Sequence, residues 1–160
     1  MRTVLYNRRA AVDYARKWAL GRNPAYYDFT GIGGDCTNFV SQCIYAGAGQ
    51  MNYTPDTGWY FRSLYDRAAA WTGVEYLYVF LVMNQSVGPF AAQVGRNEIL
   101  PGDVIQLGND YGEYYHSLLV SEIFPEILVC AHTNDALDRP LSTYNYASAR
   151  FLHIDGVRIY

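Results

Sequence analysis

The chain has 160 residues, 51% of them hydrophobic and 17% charged, with a formal net charge of −3. That length suits a single domain, read here as residues 1–160, with a core large enough to need no staples, and the apolar fraction excludes disorder. The 12 Lys and Arg residues cluster only mildly, around Arg2 to Lys17, which excludes phosphate-backbone tracking as the main task, so no nucleic-acid partner is expected.

From the N-terminus, Met1 to Leu5 has no long apolar run before Arg8-Arg9, so no signal peptide is expected. Asn7 is placed to cap a first helix, in which Ala11, Tyr14, Ala15 and Trp18 recur at helical spacing up to Leu20-Gly21. A polar loop follows from Arg22 to Gly34. Asp35 then reads as the N-cap of a second helix from Cys36 to about Ala46, stopped by Gly47 and Gly49. After a long loop region, Gln50 to Trp71, the run Thr72-Gly73-Val74-Glu75 matches a capping box and predicts a third helix to Met83. That stretch, Val74 to Met83, is the longest apolar one. It contains Glu75 and is too short to span a bilayer, so no membrane span is expected.

Beyond Gly95 the period changes. Leu100-Pro101-Gly102-Asp103 carries Pro and Gly where a type II turn needs them. Strands are predicted at 104–107, 115–123, 127–132 and 151–159. Helices first and strands afterwards read as α+β, with helices packed on an antiparallel sheet. The 16 tyrosines suit the covering of a sheet or a groove, because each buries a ring while keeping a polar tip wet.

The three cysteines, Cys36, Cys43 and Cys130, are odd in number in a chain of ordinary size, which argues against a disulfide framework. Cys43 lies two helical turns beyond Cys36 and reads as core, and Cys130 reads as sheet filling. Cys36 differs, because it starts a helix directly after Gly33-Gly34-Asp35. Free N–H groups there favour a thiolate and offer donors to an oxyanion, and the glycines let a substrate come close. Such a thiol needs a base, and the chain has three histidines. His153 reads as structural. His116 and His132 fall on neighbouring predicted strands, and a hairpin centred on Phe124 would set them opposite each other on one face. A one-residue change of register would separate them.

The run Asp-Cys-Thr-Asn-Phe-Val-Ser-Gln at 35–42 closely resembles the nucleophile helix of the bacterial putative amidase domain family. That family looks like a branch of the papain-like group containing the NlpC-type cell-wall peptidases and the cysteine, histidine-dependent amidohydrolases. The resemblance extends to Leu100–Ile105, to the strand beginning His116-Ser117 and to Ala131–Asp135, in the expected order. It implies a papain-like α+β fold, Cys36 as nucleophile, His116 as general base and His132 as the residue orienting that base, with Asn134 and Asp135 as rivals for the third role. The implied activity is cysteine-dependent amide hydrolysis through a thioester, without a cofactor, on a peptide amide such as a peptidoglycan stem peptide. An amine acceptor would make the same site an acyltransferase. Relatives are often exported to the cell wall, and in related peptidases the residue matching Asp35 also meets substrate. Asn38 and Gln42 are expected to bond within the helix layer, and Asp103 to serve its turn.

Two other classes compete. A metal centre built from Cys36, Cys43, Cys130, His116 and His132 lacks the close ligand spacing of zinc sites, so no metal is expected. A non-catalytic binding module retaining the fold has no need of a reactive thiol.

Overall fold

A computed structural model describes all of residues 1–160. Its elements are α+β: helices gather in the first half, and an antiparallel sheet dominates the second. Helix α1 (Arg8–Trp18) starts as expected, with the Asn7 side chain accepting a hydrogen bond from the Ala10 N–H at 3.0 Å. Helix α2 is Cys36–Ala48, and α3 (Ala69–Thr72) is a single turn followed by α4 (Val74–Met83). Two local expectations are corrected here. Thr72 ends α3 rather than capping α4, which begins after Gly73 with no side-chain cap. Helix α2 runs through Gly47 and stops at Gly49, whose φ of 67° makes it a left-handed cap. Gly47 serves packing instead. A Cβ there would lie 2.6 Å from the Asn7 carbonyl, where the chain entering α1 crosses α2.

The main sheet comprises β1 (Arg2–Val4), β4 (Gly88–Val94), β5 (Val104–Gly108), β6 (Tyr114–Glu122), β7 (Leu128–Ala131), β8 (Ala136–Pro140) and β9 (Ser148–Ile159); β2 (Phe61–Ser63) and β3 (Asp66–Arg67) form a separate ribbon. The long β9 takes β4 along one side, and β5 and then β1 along the other. From β5 the sheet continues through β6 and β7 to β8. The β5, β6, β7 and β9 expectations agree to within three residues at each end, whereas β1, β4 and β8 were not anticipated.

Strand alternation splits the core. Val104, Leu119, Cys130, Leu152 and Ile154 face α1, α2 and α4 in a cluster with Phe39, Ile44, Trp59 and Trp71. Ile105, Leu107, Leu118, Val120 and Val129 face the other way and are covered by Ile99, Leu141 and Tyr144. The turn before β5 forms as expected: Gly102 has φ 92° and the Asp103 N–H donates to the Leu100 carbonyl. Asp103 does more than serve that turn. Fully buried, it accepts hydrogen bonds from Leu100 N, Ile154 N, Arg8 and His153, tying α1 to β9. His153 is thereby structural.

The β6–β7 hairpin departs from the expected register. Leu119 pairs with Cys130 and Val120 with Val129, one residue away from the register that would oppose His116 to His132. The turn is set by a Glu122–Leu128 pair, and an irregularity between Val120 and Glu122 leaves one extra residue on β6. With a side-chain period of two, that single residue sends the two histidines to different faces. No helix is long and apolar enough to cross a membrane.

Candidate active site

Cys36 opens α2, and no side chain caps that helix. The expected capping by Asp35 is therefore corrected: its carboxylate turns inward. One oxygen accepts from the Phe29 N–H at 2.8 Å and from the Asn38 amide at 2.9 Å, and the other lies 2.5 Å from His132 Nδ1. No side chain therefore takes up the first N–H groups of α2. Gly33 and Gly34, at φ 79° and 97°, take a backbone path that a side-chain-bearing residue would resist, and they bring bare main chain to the sulfur.

Cys36 and His116 line one cavity of about 320 Å³ together with Gly33, Gly34, Thr133 and Arg139. Both are largely buried, at 8% exposure. No hydrogen bond joins them directly. The sulfur instead lies 3.8 Å from Thr37 Oγ1. His116 looks off β6 on the side of its cross-strand partner Leu107, which also lines the cavity. Ser117 looks the other way, toward α2.

Electrostatics set the resting protonation states. Burial pushes the Cys36 thiol up, against the lowering from its Ser117 and Thr37 hydrogen bonds. Burial, then the nearby Arg139 charge, pull His116 from 6.5 down to about 4. At neutral pH the pair is a thiol beside a neutral imidazole, not the resting thiolate expected from the helix start alone. A neutral imidazole has the lone pair that a general base needs.

His132 stands apart from this pair. Its Nε2 lies 2.8 Å from the Trp18 carbonyl, its Nδ1 meets Asp35, and its ring stacks on Phe39 with centroids 4.0 Å apart. Both ring nitrogens are thus engaged, one by a carboxyl group and one by a main-chain carbonyl, inside a fully buried pair. Neither nitrogen is left to hold His116. The expected direct contact is replaced by one to Asp35, because the extra β6 residue turned the two rings apart. Of its rivals, Asp135 makes a two-pronged ion pair with Arg22, at 2.9 and 3.0 Å, whereas Asn134 lines the cavity. Cys43 and Cys130 are fully buried in the core, as anticipated. Asn38 and Gln42 bond within their layer, to Tyr27, Asp35 and Trp71 and to Tyr14 respectively.

Behind the cavity runs a polar chain that sequence reasoning missed. Thr37 Oγ1 lies 2.9 Å from Ser117 Oγ, which accepts from Gln106. Gln106 accepts from Arg150, and Arg150 donates to Glu75 while lying between the rings of Tyr78 and Tyr114. Its members come from α2, β6, β5, β9 and α4. The only local signal was a set of polar residues at positions inside apolar strands, such as Gln106 between Ile105 and Leu107.

The chain belongs to the family described as Putative amidase domain, whose model matches residues 5–154. That description gives amide hydrolysis as the class of chemistry. The chain is also similar to the uncharacterized protein YhbB of Bacillus subtilis (strain 168), with 37% identity over 107 residues, 65% of this chain and 33% of that protein. The match therefore spans about a third of that relative's length. No solved structure matches the chain.

Proposed function

We propose that the protein is a papain-like, NlpC-type cysteine amidohydrolase in which Cys36 attacks an amide carbonyl and His116 moves the proton. The observation that carries this reading is the shared cavity of Cys36 and His116 at an uncapped helix start, in a chain of the amidase family. His116 takes the thiol proton as sulfur bonds to the carbonyl carbon. The free N–H groups at the start of α2 receive the oxyanion. The protonated imidazole then gives its proton to the leaving amine, and a water deprotonated by His116 releases the acid from the thioester.

A neutral thiol–imidazole pair suits this order of events, because proton transfer accompanies attack rather than preceding it. His132 is assigned a positioning role through Asp35, which anchors the loop entering α2. Asn134, in the cavity wall, remains the alternative for orienting His116. The substrate is a peptide amide, with a peptidoglycan stem peptide as the leading candidate. An amine in place of water would give acyl transfer at the same thioester. The test is turnover of a panel of muropeptides and simple dipeptide amides, with Cys36→Ala as control. Release of amine by the wild-type chain and none by the variant is the expected result. No turnover of any amide, with Cys36 inert to alkylation, would leave a binding module.

A further inference from the structure

The cavity wall holds one permanently charged side chain, Arg139 at the end of β8. Arg8, Arg16, Arg22 and Arg150 each meet a carboxylate, but Arg139 meets none. It is nevertheless held in place. Its Nε donates to Thr143 Oγ1 at 2.7 Å and its Nη2 to the Thr143 carbonyl at 2.9 Å, while its guanidinium lies over the Tyr144 ring, 3.8 Å from the centroid. Thr143 is fixed in turn by a bond to the Pro140 carbonyl. The Tyr144 hydroxyl is buried with no hydrogen-bond partner, and burial raises its pKa against the lowering from the Arg139 charge. Nη1 has no protein partner. The side chains of Asn134 and Asn145 also line the cavity and bond to no protein group.

A fixed cation with free donors in a cavity is arranged to meet an anion. Here it also has a cost: its charge lowers the basicity of His116, the group asked to act as base. An anion bound to the guanidinium would relieve that effect when the substrate is present. The cavity, at about 320 Å³, holds roughly ten waters' worth of volume, so an anion bound there sits within a short segment of the reacting carbonyl.

We propose that Arg139 is the anion-binding residue of the Cys36 cavity and that the amide substrate carries a free carboxylate close to the scissile bond. This inference rests on the reading of Cys36 as nucleophile and names the substrate class.

Two alkylating reagents of nearly equal size test it, iodoacetate with a carboxylate and iodoacetamide without one. In both reactions sulfur displaces iodide from the CH2 carbon. Peptide-level mass spectrometry at neutral pH gives the ratio of the two rates at Cys36, for the native chain and for the same residue in urea-unfolded chain. A charge-assisted contact at Arg139 should raise the native ratio about tenfold over the unfolded one. Arg139→Gln should return it to the unfolded value, and Arg139→Lys should retain part of the preference. Using the ratio cancels any common change in the reactivity of the thiol. Equal native and unfolded ratios, with Cys36 still reactive to iodoacetamide, overturn the anion site and leave the nucleophile intact. A native preference that survives in folded Arg139→Gln overturns it too. Failure of both reagents at Cys36 overturns the nucleophile and this inference together. The wild-type comparison stands even where a variant fails to fold.

Discussion

Thr37 Oγ1 lies 2.9 Å from Ser117 Oγ, so the residues that follow Cys36 and His116 are fastened to each other across α2 and β6. The bond ties α2 to β6 next to the two side chains proposed for chemistry, which line one cavity although they stand 80 positions apart in the chain. Gln106 supplies the second bond to Ser117 and links this fastening to the buried Arg150.

Thr37→Val keeps the shape and removes the hydroxyl. It should cost about 1 kcal/mol, because Ser117 keeps its Gln106 donor, and Ser117→Ala should cost more by stranding two partners. Urea unfolding measures both. The fastening also predicts slower alkylation of Cys36 in each folded variant, and wild-type reactivity would mean the bond serves stability alone.

Iodoacetamide should modify Cys36 well before Cys43 or Cys130. The latter two are fully buried, while Cys36 opens onto the cavity. Peptide-level mass spectrometry of native protein at neutral pH decides this, and equal labelling of all three would remove Cys36 from the mechanism.

Stability should fall in mild acid because of His116. Its pKa is about 4 in the fold against an ordinary 6.5. Between those values the unfolded chain binds more protons than the folded one, so unfolding is favoured as pH drops. The loss starts near pH 6.5, is complete near pH 4, and amounts to about 3 kcal/mol. His116→Gln should abolish that part of the slope in denaturant titrations between pH 7 and 4. The acid limb of kcat/KM should likewise lie nearer 4 than 6.5, since a protonated His116 cannot accept the thiol proton.

The buried Asp35–His132 pair should behave as a unit. Removing His132 leaves the buried Asp35 carboxyl with Arg22 Nε, 3.5 Å away, as its one charged partner, and removing Asp35 leaves His132 Nδ1 without its partner; breaking a buried pair in this way costs about 3–5 kcal/mol. The double variant should cost much less than the sum of His132→Ala and Asp35→Ala, a coupling read from a thermodynamic cycle. His132→Asn should recover part of the loss, because its amide can still donate to Asp35. Asn134→Ala separates the roles: a fall in kcat at unchanged stability would assign the orientation of His116 to Asn134. Additive single variants would mean the pair is not coupled.

Signals confined to a few neighbouring residues were legible in the sequence alone. Asn7 caps α1, Gly102 turns the chain before β5, and Cys36 begins a helix behind two glycines, because caps, turns and helix starts depend on dihedral preferences within about four positions. The same locality made the sheet-bound half of the chain readable as alternating strands and picked out Cys36, whereas the roles of His116 and His132 were implied by the family resemblance. The partner of each polar group was not legible. Asp35 has the chemistry of an N-cap, yet its carboxylate takes Phe29 N, Asn38 and His132, since those donors are buried beside it and would otherwise go unmet. The register of β6 against β7 was decided by one extra residue near Ser121, and nothing in a Phe-Pro turn encodes it. The chain from Glu75 through Arg150, Gln106 and Ser117 to Thr37 draws on five elements, and the Arg139 guanidinium has no ion-pair partner only because no carboxylate was folded against it. Tertiary structure decided these points, because satisfaction of buried charge and hydrogen bonds is a property of neighbours in space.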